Sequence, residues 1–338
     1  MARVFVTGGS GLIGGALLAR LGERGDSVAA LARTDTAAAA VSRHGAEPVR
    51  GDVLDEDAMA AGMEGCELVY HVAGMNTLCP DDAAAMFHVN VRGAETMVRA
   101  AARAGVPRVV FTSSAASIGE AKGTTGSEDS PHRGWYLSTY ERSKREGEIA
   151  AFAAARRAGL DLVAVNPSSV QGPGRAGGTG RILLAYLNGR LRAFVDTRIS
   201  LVDIRDCIEG HLLAAERGRP GERYVVNGAA LTSREALEIM AGLTGVTDRV
   251  TFLPAPVASA AGAIFERGFR LARRKPPVCR DMVRTMLHGH RYDGSKATRE
   301  LGLTYTPVRE TFSRTIEWAL AEGLVNRPLR RFSPSGAG

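Results

Sequence analysis

The chain has 338 residues, 45% apolar and 23% charged, with a net charge of +7. That length allows one large or two modest domains with ample core, and the absence of repeats and low-complexity tracts excludes a solenoid, a fibrous protein and a disordered chain. The basic balance favours anionic ligands, but no aromatic-rich basic motif accompanies it, which argues against nucleic acid as a partner.

Residues 3–14 read RVFVTGGSGLIG. An apolar run (Val4, Phe5, Val6) meets four glycines (Gly8, Gly9, Gly11 and Gly14), and a helical stretch ends near Arg24. Strand, glycine turn and helix in that order predict a dinucleotide site. Gly8 permits the tight turn, Gly11 lets a pyrophosphate approach the backbone, and Gly14 lets the helix pack close on the strand. Cofactor contacts are expected at Gly8, Ser10, Gly11, Leu12 and Ile13.

The second strand, 27–31, runs into Ala32-Arg33-Thr34. This is where such folds read the adenosine ribose: a carboxylate suits a 2′-hydroxyl and an arginine a 2′-phosphate. Arg33 therefore predicts NADP(H), with NAD(H) left open. The next strand ends at Asp52, whose carboxylate can accept the adenine amino group, with Val53 beside it. The strand 67–72 leads to Ala73 and Gly74, small enough for a ribose to lie against the backbone. His71 there is read as structural. Residues 82–104 predict one long helix, in which Asn90 needs a polar partner.

The strand 106–111 ends in Thr112-Ser113-Ser114. After a polar loop come Tyr140 and Lys144, four residues apart and so on one face of a helix. A tyrosine has an ordinary pKa near 10, and a neighbouring ammonium favours its phenolate, so the pair suits proton exchange near neutral pH. A serine hydroxyl at a neighbouring strand end, Ser114, can hydrogen-bond the substrate oxygen.

Strands alternate with helical patterns through the first half, which predicts an α/β, doubly wound parallel sheet. The four cysteines lack metal-ligand or C-x-x-C spacing and suit a reducing compartment. The chain starts almost on a strand, leaving no room for a signal peptide, and its most apolar late segment, 255–265, is too short to span a bilayer. A cytoplasmic protein without a membrane span is expected. The densest basic run, 267–275, is read as a solvated helix face or loop, with membrane-surface contact or an anionic substrate tail as alternatives.

Jointly, TGGSGLIG, GDV (51–53), HVAG, NVRG, FTSSA, YERSK, NPSSVQGPG (166–174), LVDIRDCIEGHLLA (201–214) and DGSKATRELGL (293–303) resemble the extended short-chain dehydrogenase/reductase family over nearly the whole chain. Residues 180–197 and 221–237 are most similar to its dihydroflavonol-reductase-like branch, which includes proteins named hopanoid-associated sugar epimerase. The resemblance implies a Rossmann-type sheet of about seven strands (residues 1–167 and 201–227), a smaller C-terminal substrate lid (168–200 and 228–326) and a flexible tail (327–338). It further implies a homodimer built on the helices that hold Asn90 and Tyr140.

Carried over by position, Ser114, Tyr140 and Lys144 match the family's catalytic serine, tyrosine and lysine. Tyr140 would be the general acid in reduction, and Lys144 would hold the nicotinamide ribose and lower the tyrosine's pKa. Asn90 would support the proton network, while the backbone from Pro167 to Ser169 would meet the nicotinamide amide. Expected substrate contacts are Met75, Asn76, Ser117, Leu137, Gln171, Arg181 and Tyr186.

Departures from the family pattern narrow the activity. Dehydratases carry Thr-Asp-Glu where this chain has Ser114-Ala115-Ala116. Sugar epimerases usually carry tyrosines where it has Ile118 and Gln171. The resemblance therefore points to an NADPH-dependent carbonyl reductase. The alternatives are an epimerase or 3-beta-hydroxysteroid-type dehydrogenase/isomerase, and a non-enzymatic NADPH-binding regulator. No metal is expected.

Overall fold

The structure, a computed structural model, describes residues 2–274 and 276–329. Its first half alternates strand and helix: β1 (Arg3–Thr7), α1 (Leu12–Glu23), β2 (Ser27–Ala32), α2 (Asp35–Ser42), β3 (Glu47–Arg50), α3 (Glu56–Met63) and β4 (Leu68–His71). After β4 come α4 (Ala83–Phe87), α5 (Gly93–Arg103), β5 (Arg108–Thr112), α6 (Thr139–Ala158) and β6 (Asp161–Pro167). Parallel strands buried on both faces need apolar residues at nearly every position. Val4, Phe5 and Val6 of β1, Val109 and Val110 of β5, and Leu162 to Val165 of β6 meet that demand, all of them at most 2% exposed.

The chain then passes through β7 (Ser169–Gln171), α7 (Gly180–Leu187), β8 (Ala193–Val195) and β9 (Arg198–Asp203). It returns by α8 (Ile204–Arg217) and β10 (Arg223–Val226) before β11 (Ala229–Thr232), α9 (Ser233–Thr244) and β12 (Thr251–Leu253). It closes with α10 (Ala255–Leu271), α11 (Arg280–His288) and α12 (Val308–Ala321). The main sheet has seven parallel strands in the order β10-β6-β5-β4-β1-β2-β3, the expected doubly wound Rossmann arrangement. Two small sheets, β11-β9-β7 and β12-β8, stand beside it.

Four sequence expectations change. The helix expected over 82–104 is split by a π turn, His88–Arg92, between α4 and α5. A π turn fits one extra residue into a helix and is common at functional sites, and Asn90 sits in it. The 293–303 stretch, expected in the lid, packs instead under the main sheet: Ala297, Leu301 and Leu303 join the core that holds Leu212 and Tyr224. In the segment expected as a flexible tail, Arg327 is held by Nε donation to the Leu187 carbonyl at 2.5 Å and an ion pair with Asp248. Residues 330–338 of that tail lie outside the described residues.

The fourth correction concerns the thiols. Cys79 and Cys279 form a disulfide across a sequence separation of 200, while Cys66 and Cys207 are buried thiols. Spacing along the chain could not reveal the pair. The loop after β4 and the N-terminus of α11 meet only in the folded protein. Removing a cross-link that closes so long a loop costs about 2–5 kcal/mol. Wild type should therefore melt several degrees higher without reductant than with it, whereas a Cys79→Ser variant should melt at one temperature in both. Equal wild-type temperatures would refute the stabilisation.

Candidate active site

The glycine turn is built for close approach. Gly8 has φ 77°, and a Cβ there would lie 2.6 Å from the Ala73 nitrogen; one on Gly14 would lie 2.0 Å from the Gly8 carbonyl oxygen. The N-cap of α1, Gly11, makes no side-chain cap. The first N–H groups of α1 are thus left for a phosphate, the arrangement in which helix N-termini bind anions. This cradle fits a dinucleotide pyrophosphate, with Ser10, Leu12 and Ile13 at its rim.

Arg33 follows the end of β2, and its guanidinium is 3.5 Å from the Asp52 carboxylate; their side chains are 71% and 36% exposed. Asp52 also accepts the Leu54 backbone N–H at 3.0 Å. The expected ribose and adenine readers are therefore adjacent, although each partly occupies the other. Val53 packs against Gly93.

On the next strand His71 is 1% exposed, stacks on Phe111 and shares a 2.9 Å hydrogen bond between Nδ1 and the Thr7 hydroxyl. Burial, helped by the Lys144 charge, pulls its pKa down to about 3. It is a neutral structural side chain, as expected.

Asn90 fastens the loop that follows. Its Oδ1 accepts the Met75 N–H at 2.7 Å, and its Nδ2 donates to the Met75 carbonyl at 3.0 Å and the Ser143 hydroxyl at 2.9 Å. A Cβ on Gly74 would lie 3.2 Å from Asn90 Oδ1 and 3.7 Å from Lys144 Nζ. Asn90 is a positioning residue: its amide is spent on the loop that carries Ala73, Gly74, Met75 and Asn76. The Asn90 carbonyl oxygen in turn lies 2.2 Å from where a Cβ on Gly147 would sit, so the π turn rests directly on α6.

Ser114 caps a short 3-10 turn, Ala115–Ile118, with its hydroxyl 3.3 Å from the Ala116 nitrogen. Beneath it lies a buried polar cluster. Asn166 donates to the Ser114 carbonyl at 3.2 Å, to the Ser117 hydroxyl at 3.0 Å and to Glu148 at 2.6 Å, and Arg223 pairs with Glu148 at 3.0 Å. Tyr140 stands at the start of α6, behind the Ser138 cap. Burial pushes its pKa above the ordinary value, while a hydrogen bond from Ser114 and the charge of Arg175 pull it back.

Lys144 is 7% exposed and donates to the Thr112 carbonyl at 2.8 Å. Burial drags its ammonium down to about 8 against the opposing pull of Glu148. Arg175 is one cation that Tyr140 feels, and the Lys144 ammonium is held at the end of β5.

Arg175 was missed by sequence reasoning. It lies on the strap between β7 and α7, and among the described residues no carboxylate pairs with it. Its buried Nε has no hydrogen-bond partner. A Cβ on neighbouring Gly174 would lie 3.0 Å from the Leu12 side chain, so the strap passes over the glycine turn. The preceding VQGPG offered only a turn signal, which says nothing of where the next side chain lands.

The expected substrate residues scatter. Met75 and Asn76 lie on the loop at Asn90, and Arg181 is exposed on α7. Tyr186 does not reach the crevice: it is 4% exposed in the lid core and donates to the Val246 carbonyl at 3.2 Å. Ser117 belongs to the buried cluster under Ser114. Gln171 is 5% exposed and donates to the hydroxyls of Ser169, at 2.9 Å, and Thr179, at 2.6 Å. Pro167 ends β6 immediately before them.

Leu137 lines a separate cavity of about 440 Å³ with Trp135, Ser259, Ala263, Val283 and Arg284. A larger cavity of about 810 Å³, between α1, α8 and α12, contains none of Ser114, Tyr140 and Lys144.

Outside the crevice, Glu120, His288 and His290 bring their ligand atoms within 4.8 Å of one another. Glu120 Oε1 is 2.6 Å from His290 Nδ1 and 3.6 Å from His288 Nε2. Burial works against its charge, but the two histidines hold its pKa down near 2. The cluster ties the turn after Ser114 to the last residue of α11 and the segment that follows it.

Comparison with known proteins agrees with this geometry. Residues 4–227 match the family described as the NAD dependent epimerase/dehydratase family. A Synechocystis protein named as a dihydroflavonol 4-reductase is 32% identical, over 95% of each chain. Sterol demethylase protein B of Methylococcus capsulatus is 33% identical, over 95% of this chain and 99% of its own. The solved structure of MoeE5 in complex with UDP-glucuronic acid and NAD superposes with a TM-score of 0.74 at 26% identity, covering 95% of this chain and 99% of that one.

Proposed function

The chain belongs to the NAD dependent epimerase/dehydratase family, an extended short-chain dehydrogenase/reductase fold, and from that premise we propose that it reduces an aldehyde or ketone with NADPH. An NAD(P)-dependent enzyme acting on hydroxyl and carbonyl groups is what the family shares. The finer reading is carried by one observation: Ser114 follows the end of β5, where Lys144 of α6 donates to the Thr112 carbonyl at 2.8 Å, and it is near enough to Tyr140 to pull that phenol's pKa down.

A bound nicotinamide supplies hydride exchange at the carbonyl carbon. The chain's own groups handle the oxygen and its proton. Ser114 donates a hydrogen bond that orients the carbonyl oxygen, and Tyr140 gives that oxygen its proton. Because burial raises the phenol's pKa, Tyr140 is protonated at neutral pH, the form that reduction requires. Lys144, anchored on the Thr112 carbonyl, would hold the nicotinamide ribose, and Ala73, Gly74, Pro167 and Ser169 are the further cofactor contacts in this reading. Met75, Asn76 and Arg181 remain proposed substrate contacts. A homodimer is part of the same reading; Ala151, Ala154 and Ala155 of α6 are already used in the core, which leaves Ile149, 54% exposed, on that helix.

Fluorescence titration with NADPH and NADH, followed by a panel of aldehydes and ketones, tests the reading. Arg33→Asp should raise the KM for NADPH at least about tenfold, the loss of one charge-assisted contact, with little change for NADH. Equal shifts would remove the NADP(H) assignment. The likeness to a sugar-nucleotide complex with NAD favours one alternative, an epimerase. Protein purified already loaded with NAD(H) would put that alternative first.

A further inference from the structure

Helix α10 has one face that the fold uses and one that it does not. The used face carries Ala258, 5% exposed, and Gly262, where a Cβ would lie 2.6 Å from the Val283 side chain of α11. This close contact fixes the helix on the body of the protein. The opposite face is apolar. Val257, Ile264 and Leu271 are 51%, 71% and 78% exposed. They are seven residues apart, which makes them a single line along the helix. Phe265, 55% exposed, is seven residues beyond Ala258 and so continues the line of the used face past its contact with α11.

Among the described residues, eight large hydrophobic side chains are exposed, and these are four of them. Leu54, Ile149 and Leu320 belong to other elements, and isolated exposed residues of that kind are ordinary. A continuous apolar ridge on a helix already anchored from behind marks a contact surface.

The C-terminal end of the ridge runs into a basic cluster. Arg267, Arg270, Arg273 and Arg274 are all exposed. The helix holds one acid, Glu266, which pairs with Arg270 at 2.8 Å. We propose that this face of α10 docks on an anionic lipid bilayer, with the helix lying flat in the headgroup layer. Apolar residues on one side and arginines at one end suit an interfacial helix. At 17 residues, with arginines in its last turns, α10 lies on a bilayer rather than crossing one. A second copy of this chain is the competing occupant, and the test below separates it from a bilayer.

The position of the 440 Å³ cavity gives the docking a use. Ser259 and Ala263, on the flank of the same helix, line it together with Trp135, Leu137 and Arg284. Trp135 is 51% exposed, and an indole at the rim suits the headgroup layer. Leu137 is three residues before Tyr140. Docking would hold the cavity mouth against the lipid, from which a membrane-dissolved substrate could be taken.

Co-sedimentation with vesicles tests the proposal. Full-length wild type should sediment with phosphatidylcholine vesicles containing about one-third phosphatidylglycerol, and much less with phosphatidylcholine alone. An Ile264→Ser/Leu271→Ser variant and an Arg267→Gln/Arg270→Gln/Arg273→Gln/Arg274→Gln variant should each lose about tenfold in apparent affinity. All these side chains are exposed, so both variants should melt like wild type. Three results would overturn docking: no sedimentation of wild type with the anionic vesicles, full binding by the serine variant, or a lipid-free dimer in light scattering that those same substitutions dissociate.

Discussion

Replacing Tyr140 by phenylalanine lowers carbonyl reduction about a thousandfold, the scale of one lost general acid, and leaves NADPH affinity unchanged. In the proposed mechanism the phenol meets Ser114 and the reacting oxygen, and among the described residues its hydroxyl holds no other element in position. Tyr140→Phe therefore removes a proton and little else. Stopped-flow turnover alongside fluorescence titration separates the two effects. Unchanged turnover would sink the mechanism, and a parallel loss of NADPH binding would make Tyr140 a binding residue. The wild-type pH profile carries a linked expectation. The kcat/KM for NADPH reports groups of the free enzyme, and burial has drawn Lys144 down to about 8. The ammonium is charged below that pH and neutral above it, so the parameter should fall as pH rises through 8. The Tyr140 phenol, raised by burial, keeps its proton through that fall.

Gly147→Ala is the second large effect, and it acts through the backbone. The added Cβ would lie 2.2 Å from the Asn90 carbonyl oxygen and 3.1 Å from its carbon. Neither atom belongs to a flexible side chain, so the π turn or α6 must move. Overpacking of this kind costs about 3 kcal/mol, to be read as a lower urea midpoint. Movement of the π turn also moves Asn90 and the Met75 loop that it holds, so cofactor affinity should fall as well. Gly268→Ala provides the contrast. No atom lies within 4 Å of a Cβ there, and alanine in a helix is favoured over glycine by about 0.5–1 kcal/mol. A Gly147→Ala variant as stable as wild type would show that the two helices are not in backbone contact.

The parts of the site legible in the sequence were those whose chemistry depends on neighbours along the chain. The glycine turn, the strand ends at Arg33 and Asp52, and the Tyr140–Lys144 spacing are local patterns, and the parallel sheet follows from the alternation of apolar strands with helices. What the sequence hid depends on contacts between distant segments. Arg175 reaches Tyr140 because a strap crosses the sheet edge, and Tyr186 misses the crevice because the lid has its own core. The Cys79–Cys279 bond joins two segments that no spacing rule connects. The π turn escaped for a different reason. A run with good helical periodicity carries no mark of one additional residue.

The disulfide makes most of the site a closed covalent circle. Asn90, Ser114, Tyr140, Lys144 and Arg175 all lie within the 200-residue span between the joined sulfurs, whereas the glycine turn lies outside it. One end of that circle is the loop fastened by Asn90, and the other is the N-terminus of α11, the helix against which α10 rests. While the sulfurs are joined, a push on the exposed ridge of α10 has a covalent path to the loop beside the cofactor cradle. With both thiols reduced, the covalent path between the two segments runs through the whole intervening backbone. The disulfide thus adds one short covalent link between the helix that supports α10 and the loop that Asn90 fastens.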